Sequence, residues 1–252
     1  MNFPNSNQNP YGDKHPLSNG GSPFGSSTLE TPVIDLATEF RLEFIRKTYS
    51  VFMLGILVAL LVGWATLNVP PVMNAASALR GNLLISVVLL LGLSIGAQAV
   101  SRVPVLNLVA MFAFTAFMGF FLTPLLAMYN SAFPGIVTQA AVLTTLNFSA
   151  LTAYAFISKK DFSFMGGLLF VGMIALILGG LANAFLFKSS MASYLMAWVS
   201  LLIFSGFVLY ETSNIMRTHD SRSYVSAALS LFISFVNMFL AILRILAGGR
   251  RD

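Results

Sequence analysis

Glu211 is the one acidic residue that falls inside an apolar stretch of this 252-residue sequence; every other Asp or Glu lies in the N-terminal segment, a loop or a terminus. A carboxylate in hydrocarbon is costly, and those that are kept commonly serve ion paths or proton relays. A plainer reading is that Glu211, close to the loop at Arg217, snorkels to the surface or pairs with an arginine. In the next apolar segment Ser223, Ser230, Asn237 and Arg244 recur at heptad spacing, which sets them on one stripe of a helix with Ser234 beside it. Thr138, Thr145, Ser149 and Thr152 share a face of an earlier segment. Taken singly, these groups fit hydrogen bonding between helices. A polar stripe opposite a carboxylate is more specific and suits a central helix lining a hydrophilic route. Two devices are open to Glu211: buried alone it exchanges a proton and acts as a sensor, whereas paired with Arg244 it stays ionised and acts as a lock.

Other chemistries find no residues to carry them, so no enzymatic activity is expected. His15 and His219, the two histidines, lie in the N-terminal segment and a loop, which leaves no intramembrane metal pair or Ser-His dyad. The sequence has no cysteine, hence no disulfide or thiol nucleophile. No span holds an interior Lys for a Schiff base, and no Gly-rich Lys-Ser/Thr motif cradles phosphate. The net charge of +5 sits mostly in loops beside apolar segments, which points to membrane topology and not to nucleic acid.

The elements that position these residues follow from composition. Hydrophobic residues make up 57% of the chain and charged residues 9%, against about 25% charged in a soluble domain. Apolar segments run near 49–67, 83–100, 104–128, 135–157, 165–187, 192–215 and 224–246. Each is close to the ~20 residues that cross a ~30 Å hydrocarbon layer, and lipid forces such segments to be helices. The expected fold is an all-α integral membrane protein, a seven-helix bundle spanning 49–252. Pro70 and Pro71 break the chain after the first span, Pro124 kinks the third or ends it early, and Gly92 with Gly96 forms a close-packing pair.

Residues 1–30, rich in Asn, Ser, Gly and Pro, read as a disordered tail and not as a signal peptide. Residues 31–48 read as a juxtamembrane amphipathic helix or as an extension of the first span. Arg41, Arg46, Lys47, Arg102, Lys159, Lys160, Arg217 and Arg222 fall on one side, against Arg80, Lys188, Arg250 and Arg251 on the other. The N-terminus is therefore expected in the cytoplasm. Charge leaves open whether the last segment crosses or re-enters.

Thr152–Gly167 (TAYAFISKKDFSFMGG), Gly206–Met216 (GFVLYETSNIM) and Tyr224–Leu246 (YVSAALSLFISFVNMFLAILRIL), with Arg46–Tyr49 (RKTY), resemble the Bax inhibitor family of transmembrane proteins, and its bacterial branch in particular. The resemblance covers roughly residue 40 to the C-terminus. It implies seven helices, the last central among two layers of three, in a bacterial inner membrane. It also implies a pH-sensitive calcium leak, or restraint of a membrane-anchored AAA protease as partner. Calcium-leak members carry a proton-sharing Asp pair; here Glu211 stands at the first position and Ser234 at the one aligned with the second. A single carboxyl lacks the coupling of such a pair. It is also a poor site for calcium, which takes six to eight oxygens. No cofactor is expected, and calcium or protons enter as transported ions. Glu211 is the tentative calcium ligand, with Ser234, Asn237 and Arg244 as its candidate neighbours.

Overall fold

The computed structural model describes residues 33–100, 103, 105–217 and 224–250. The tail at 1–30 lies outside them, as do Arg102, Pro104, His219, Arg222 and Ser223. Eight helices follow in order: α1 (Val33–Asn68), α2 (Pro70–Gly81), α3 (Leu83–Ala99), α4 (Leu106–Ala132), α5 (Ile136–Ser158), α6 (Gly166–Ala182), α7 (Ser190–Arg217) and α8 (Tyr224–Gly248). Six of these, α6 together with its flanking turns, are long and apolar enough to cross a membrane, and the 17-residue α3 is a shorter apolar helix. The chain is an all-α membrane protein.

Two differences from the expected elements have local causes. Pro70 and Pro71 do not merely stop α1; they open α2, because proline lacks the N–H that the first helical position leaves unpaired. Pro124 does not end α4, which runs on to Ala132. α1 is continuous for 36 residues, about 54 Å at the helical rise, so its N-terminal turns extend beyond the hydrocarbon.

α1 and α4 pack on each other, with α2 against both and α3 against α4; α5 and α6 pack on α7, and α8 lies between the two groups against α1, α4, α5 and α7. It is the most buried of the spans. Val225, Leu229, Leu231, Phe232, Met238 and Leu243 point into neighbours over about half of its circumference, a wider buried face than the other spans present. α8 is unbroken over 25 residues, about 37 Å, enough for a full crossing. Arg250, just past its end, donates to Gln139 Oε1 at 2.7 Å near the start of α5. The last segment is thus long enough to cross, and it ends at the end of the bundle where α5 begins.

α1 and α4 approach closely where Gly119 faces the backbone of Ala59, and Thr123 Oγ1 donates to Gly119 O at 2.7 Å and to Gly63 O at 3.3 Å. The expected Gly92 and Gly96 pair plays no such part. No neighbouring atom lies within 4 Å of a Cβ built at either position; α3 turns Ala97 inward and leaves both glycines outside. At the turn from α4 to α5, Gly135 takes a left-handed φ of 79° and its N–H reaches Asn130 Oδ1 at 3.1 Å.

A Cβ at Gly119 would overlap the Ala59 carbonyl. Gly119→Val is expected to destabilise the bundle by about 1–3 kcal/mol, the usual penalty of overpacking. Thermal unfolding in detergent checks this, and an unchanged midpoint would contradict the close approach.

Candidate functional site at Glu211

Glu211 lies on α7 less than two turns before that helix ends, and its side chain is directed at α8. Ser234 Oγ donates to Glu211 Oε1 at 3.1 Å, while Oε2 is buried with no hydrogen-bond partner. Among the described residues no cation forms an ion pair with this carboxyl. Tyr49 of α1 comes close to it, its hydroxyl sharing a 3.2 Å hydrogen bond with Thr212 Oγ1. Thr152 Oγ1 of α5 is buried beside the same tyrosine. Four helices thus enclose one carboxyl and a few hydroxyls.

Of the candidate neighbours, the structure brings Ser234 to Glu211 and takes the others elsewhere. Asn237 donates to Ile233 O of its own helix at 2.8 Å. Arg244 stands ten residues beyond Ser234, about 15 Å farther along the axis, and is exposed. The Glu211–Arg244 pair considered from sequence is not formed. Ser230 accepts from Gln98 Nε2 at 3.4 Å, and Ser226 Oγ donates to Gln98 Oε1 at 2.8 Å, tying α8 to α3. The fourth-segment face also divides: Thr145 Oγ1 donates to Ala141 O of its own helix and Ser149 is exposed, while Thr152 turns toward the site. No three acidic or histidine residues gather as a metal cluster among the described residues.

One helical turn from the site, three rings from three helices close together. Phe52 of α1 stacks on Phe148 of α5 at 5.1 Å, and Phe235 of α8 meets both edge-on, at 5.8 and 5.4 Å. Tyr49 is one turn before Phe52, Thr152 one turn after Phe148, and Ser234 next to Phe235. All three polar groups therefore lie on or beside the layer toward the basic loop. Offset and edge-to-face contacts of this kind are favourable beyond the area they bury.

The end of α7 toward the basic loop is tied down. Ser213 Oγ donates to Lys160 O at 3.3 Å and accepts from Phe162 N at 3.2 Å. Arg217 reaches Lys159 O at 3.3 Å and Asp161 Oδ2 at 3.5 Å. Asp161 also accepts from the Ser163 hydroxyl and, at 2.9 Å, from its backbone N–H. These two contacts, and after them the Arg217 guanidinium, hold the Asp161 carboxyl below the usual aspartate range. Sequence reading singled out the loop but not Ser213, Gln98 or Tyr49 as partners. The signal for Ser213 and Tyr49 lay in polar residues inside the same motifs, LYETSNI and RKTY.

The family model described as inhibitor of apoptosis-promoting Bax1 (Bax1-I) matches residues 41–252. A membrane protein of Vibrio cholerae is 42% identical over 142 residues, 56% of this chain and 63% of that protein. The modulator of FtsH protease YccA of Escherichia coli is 38% identical over 147 residues, 58% of this chain and 66% of that protein. Each of these two alignments spans slightly less than two thirds of the bacterial relative. Bax inhibitor 1 of Schizosaccharomyces pombe is 32% identical over 220 residues, 86% of this chain and 80% of that protein. Matched over most of its described helices, and arranged around a central last helix, the chain belongs to the Bax inhibitor (Bax1-I) family.

Proposed function

We propose that this protein is a pH-influenced ion-leak channel or exchanger for calcium or protons in a bacterial inner membrane, with Glu211 as its titrating group and the N-terminus in the cytoplasm. The observation that carries this reading is the unsatisfied Glu211 Oε2, buried beside the central helix with no cation paired to it. Leaving such an oxygen without a donor costs about 1–3 kcal/mol. Burying it among hydroxyls, and not opposite an arginine, favours the sensor over the lock. One carboxyl with Ser234, Tyr49 and Thr212 as neighbours offers too few oxygens to hold calcium firmly. Calcium would then pass as a hydrated ion and the proton would be the group that binds.

The layer of Phe52, Phe148 and Phe235 supplies a barrier, since apolar constrictions close a route by excluding water. The tie between α7 and the loop at 158–163 holds the other side of the site.

A second reading rests on the likeness to YccA, named for modulation of the FtsH protease. In that reading the chain binds and restrains a membrane-anchored AAA protease, and the polar segment 1–30 offers an extended stretch that a partner could grasp. Co-purification with the protease, together with liposomes that pass no ions, would put this reading first.

Calcium and proton flux in liposomes across a range of pH tests the first reading. Glu211→Gln keeps the shape of the side chain and removes its titration, so flux should lose its pH dependence; a pH profile identical to that of the unaltered protein would remove Glu211 from the mechanism. Phe235→Ser should wet the aromatic layer and raise flux at every pH, and flux that stays at the basal level in a folded variant would show that the barrier lies elsewhere. The tie at Asp161 should not contribute to either profile. With its folded value depressed, its stabilising effect is complete above the ordinary aspartate value of about 3.9 and is lost only as pH falls through the lower folded value. Hydrogen exchange at the Phe162 amide, corrected for intrinsic rates, should therefore show constant protection between about pH 6 and 8 and lose it in Ser213→Ala.

A further inference from the structure

Beyond the aromatic layer, on the side away from Glu211, α1, α4, α5 and α8 enclose a cavity of about 660 Å³. Phe232 and Phe235 form part of its inner end, and its wall along α1 runs from Ile56 to Leu67. Eleven residues of helix rise about 16 Å, the depth of one leaflet of a ~30 Å hydrocarbon layer. The lining is apolar for most of this depth. Apart from Thr123, whose hydroxyl is committed to the Gly119 and Gly63 carbonyls, its polar groups gather at the outer end, where Asn130 and Ser131 stand in the last turn of α4 and Thr138 in the first turn of α5. Leu60, Trp64 and Leu67 line the cavity and are also 66, 68 and 57% exposed on the outside of the bundle. The space therefore communicates sideways with the bilayer along α1.

A deep apolar slot with a polar mouth at the interface matches one chain of a lipid whose headgroup remains at the membrane surface. The lining includes no lysine or arginine, so nothing in it would hold the carboxylate of a free fatty acid, whereas neutral hydroxyl and amide groups suit the ester and glycerol region of a phospholipid. The volume is within the range of ligand sites, about 300–1,000 Å³. A space of this size lined by apolar groups in contact with lipid is filled by acyl chain more readily than by water, which needs several polar partners. We infer that the cavity between α1, α4, α5 and α8 is a binding site for one acyl chain of a phospholipid from the leaflet away from the basic loops. The chain abuts Phe235 and keeps the far face of the aromatic layer dry. This inference concerns a ligand of the cavity and stands whether or not the protein conducts ions.

Native mass spectrometry of the full chain released from mild detergent tests it. One phospholipid should remain bound per chain after loosely held lipids are stripped. Ala141→Trp, which fills the cavity from α5, should reduce the retained species at least tenfold. No retained phospholipid, retention undiminished in Ala141→Trp, a free fatty acid in its place, or a second copy of the chain as the bound species would each overturn the assignment. A second measurement covers the case in which Ala141→Trp does not fold. The chain has two tryptophans; in Trp198→Phe the remaining Trp64 lines the cavity. Brominated phospholipid titrated into delipidated Trp198→Phe protein should quench Trp64 with saturation at about one lipid per chain. Quenching that rises only in proportion to the lipid content of the micelle would indicate general contact with lipid and refute the site.

Discussion

Hydrocarbon cannot hydrate a carboxyl group, so such a group persists in a membrane only where protein surrounds it on every side. α8 supplies that surrounding for Glu211. Placed between α1, α3 and α4 on one side and α5, α6 and α7 on the other, it has little lipid to face and can carry Ser226, Ser230 and Ser234 at no exposure cost. Each of these three serines meets a polar side chain from another helix: Gln98 on α3 for Ser226 and Ser230, Glu211 on α7 for Ser234. The outer helices are correspondingly apolar on their exposed faces, as α6 illustrates with Leu168, Val171 and Leu178. Polar chemistry is thus concentrated on the axis of the bundle.

The spans were legible in the sequence because the bilayer imposes a length on them, and the position of Glu211 as a carboxyl within a span because lipid makes any charge conspicuous. Ser234 as its partner was legible through family resemblance. Arg244 was not correctly placed, and the reason is geometric. Heptad spacing fixes the face of a helix on which a residue stands but says nothing of depth, and ten residues along α8 carry Arg244 far from the carboxyl. The two prolines at 70 and 71 mark a boundary in either direction, so the sequence alone could be read as an end where a new helix begins. Pairings such as Tyr49 with Thr212 join residues 163 positions apart, a relation that local spacing along the chain does not encode.

The aromatic layer divides the interior into two unlike compartments. On one side stand the carboxyl, the hydroxyls and the tethered loop; on the other is a greasy slot continuous with the bilayer. Phe235 and Ser234, adjacent in sequence, face these two compartments, so a small rotation of α8 would alter both together. Packed interiors favour discrete alternatives over gradual deformation.

The tether itself has a thermodynamic corollary. Ser213, which holds the backbone of Lys160 and Phe162, is two residues from Glu211 on the same rigid helix. If proton uptake at Glu211 displaces the end of α7, it changes how the 158–163 loop is presented to whatever lies beside it. Linkage makes the effect mutual: a protein that grips this loop more tightly in one arrangement must change the proton affinity of the carboxyl by the same factor. Conduction and partner regulation would then be two readouts of a single equilibrium.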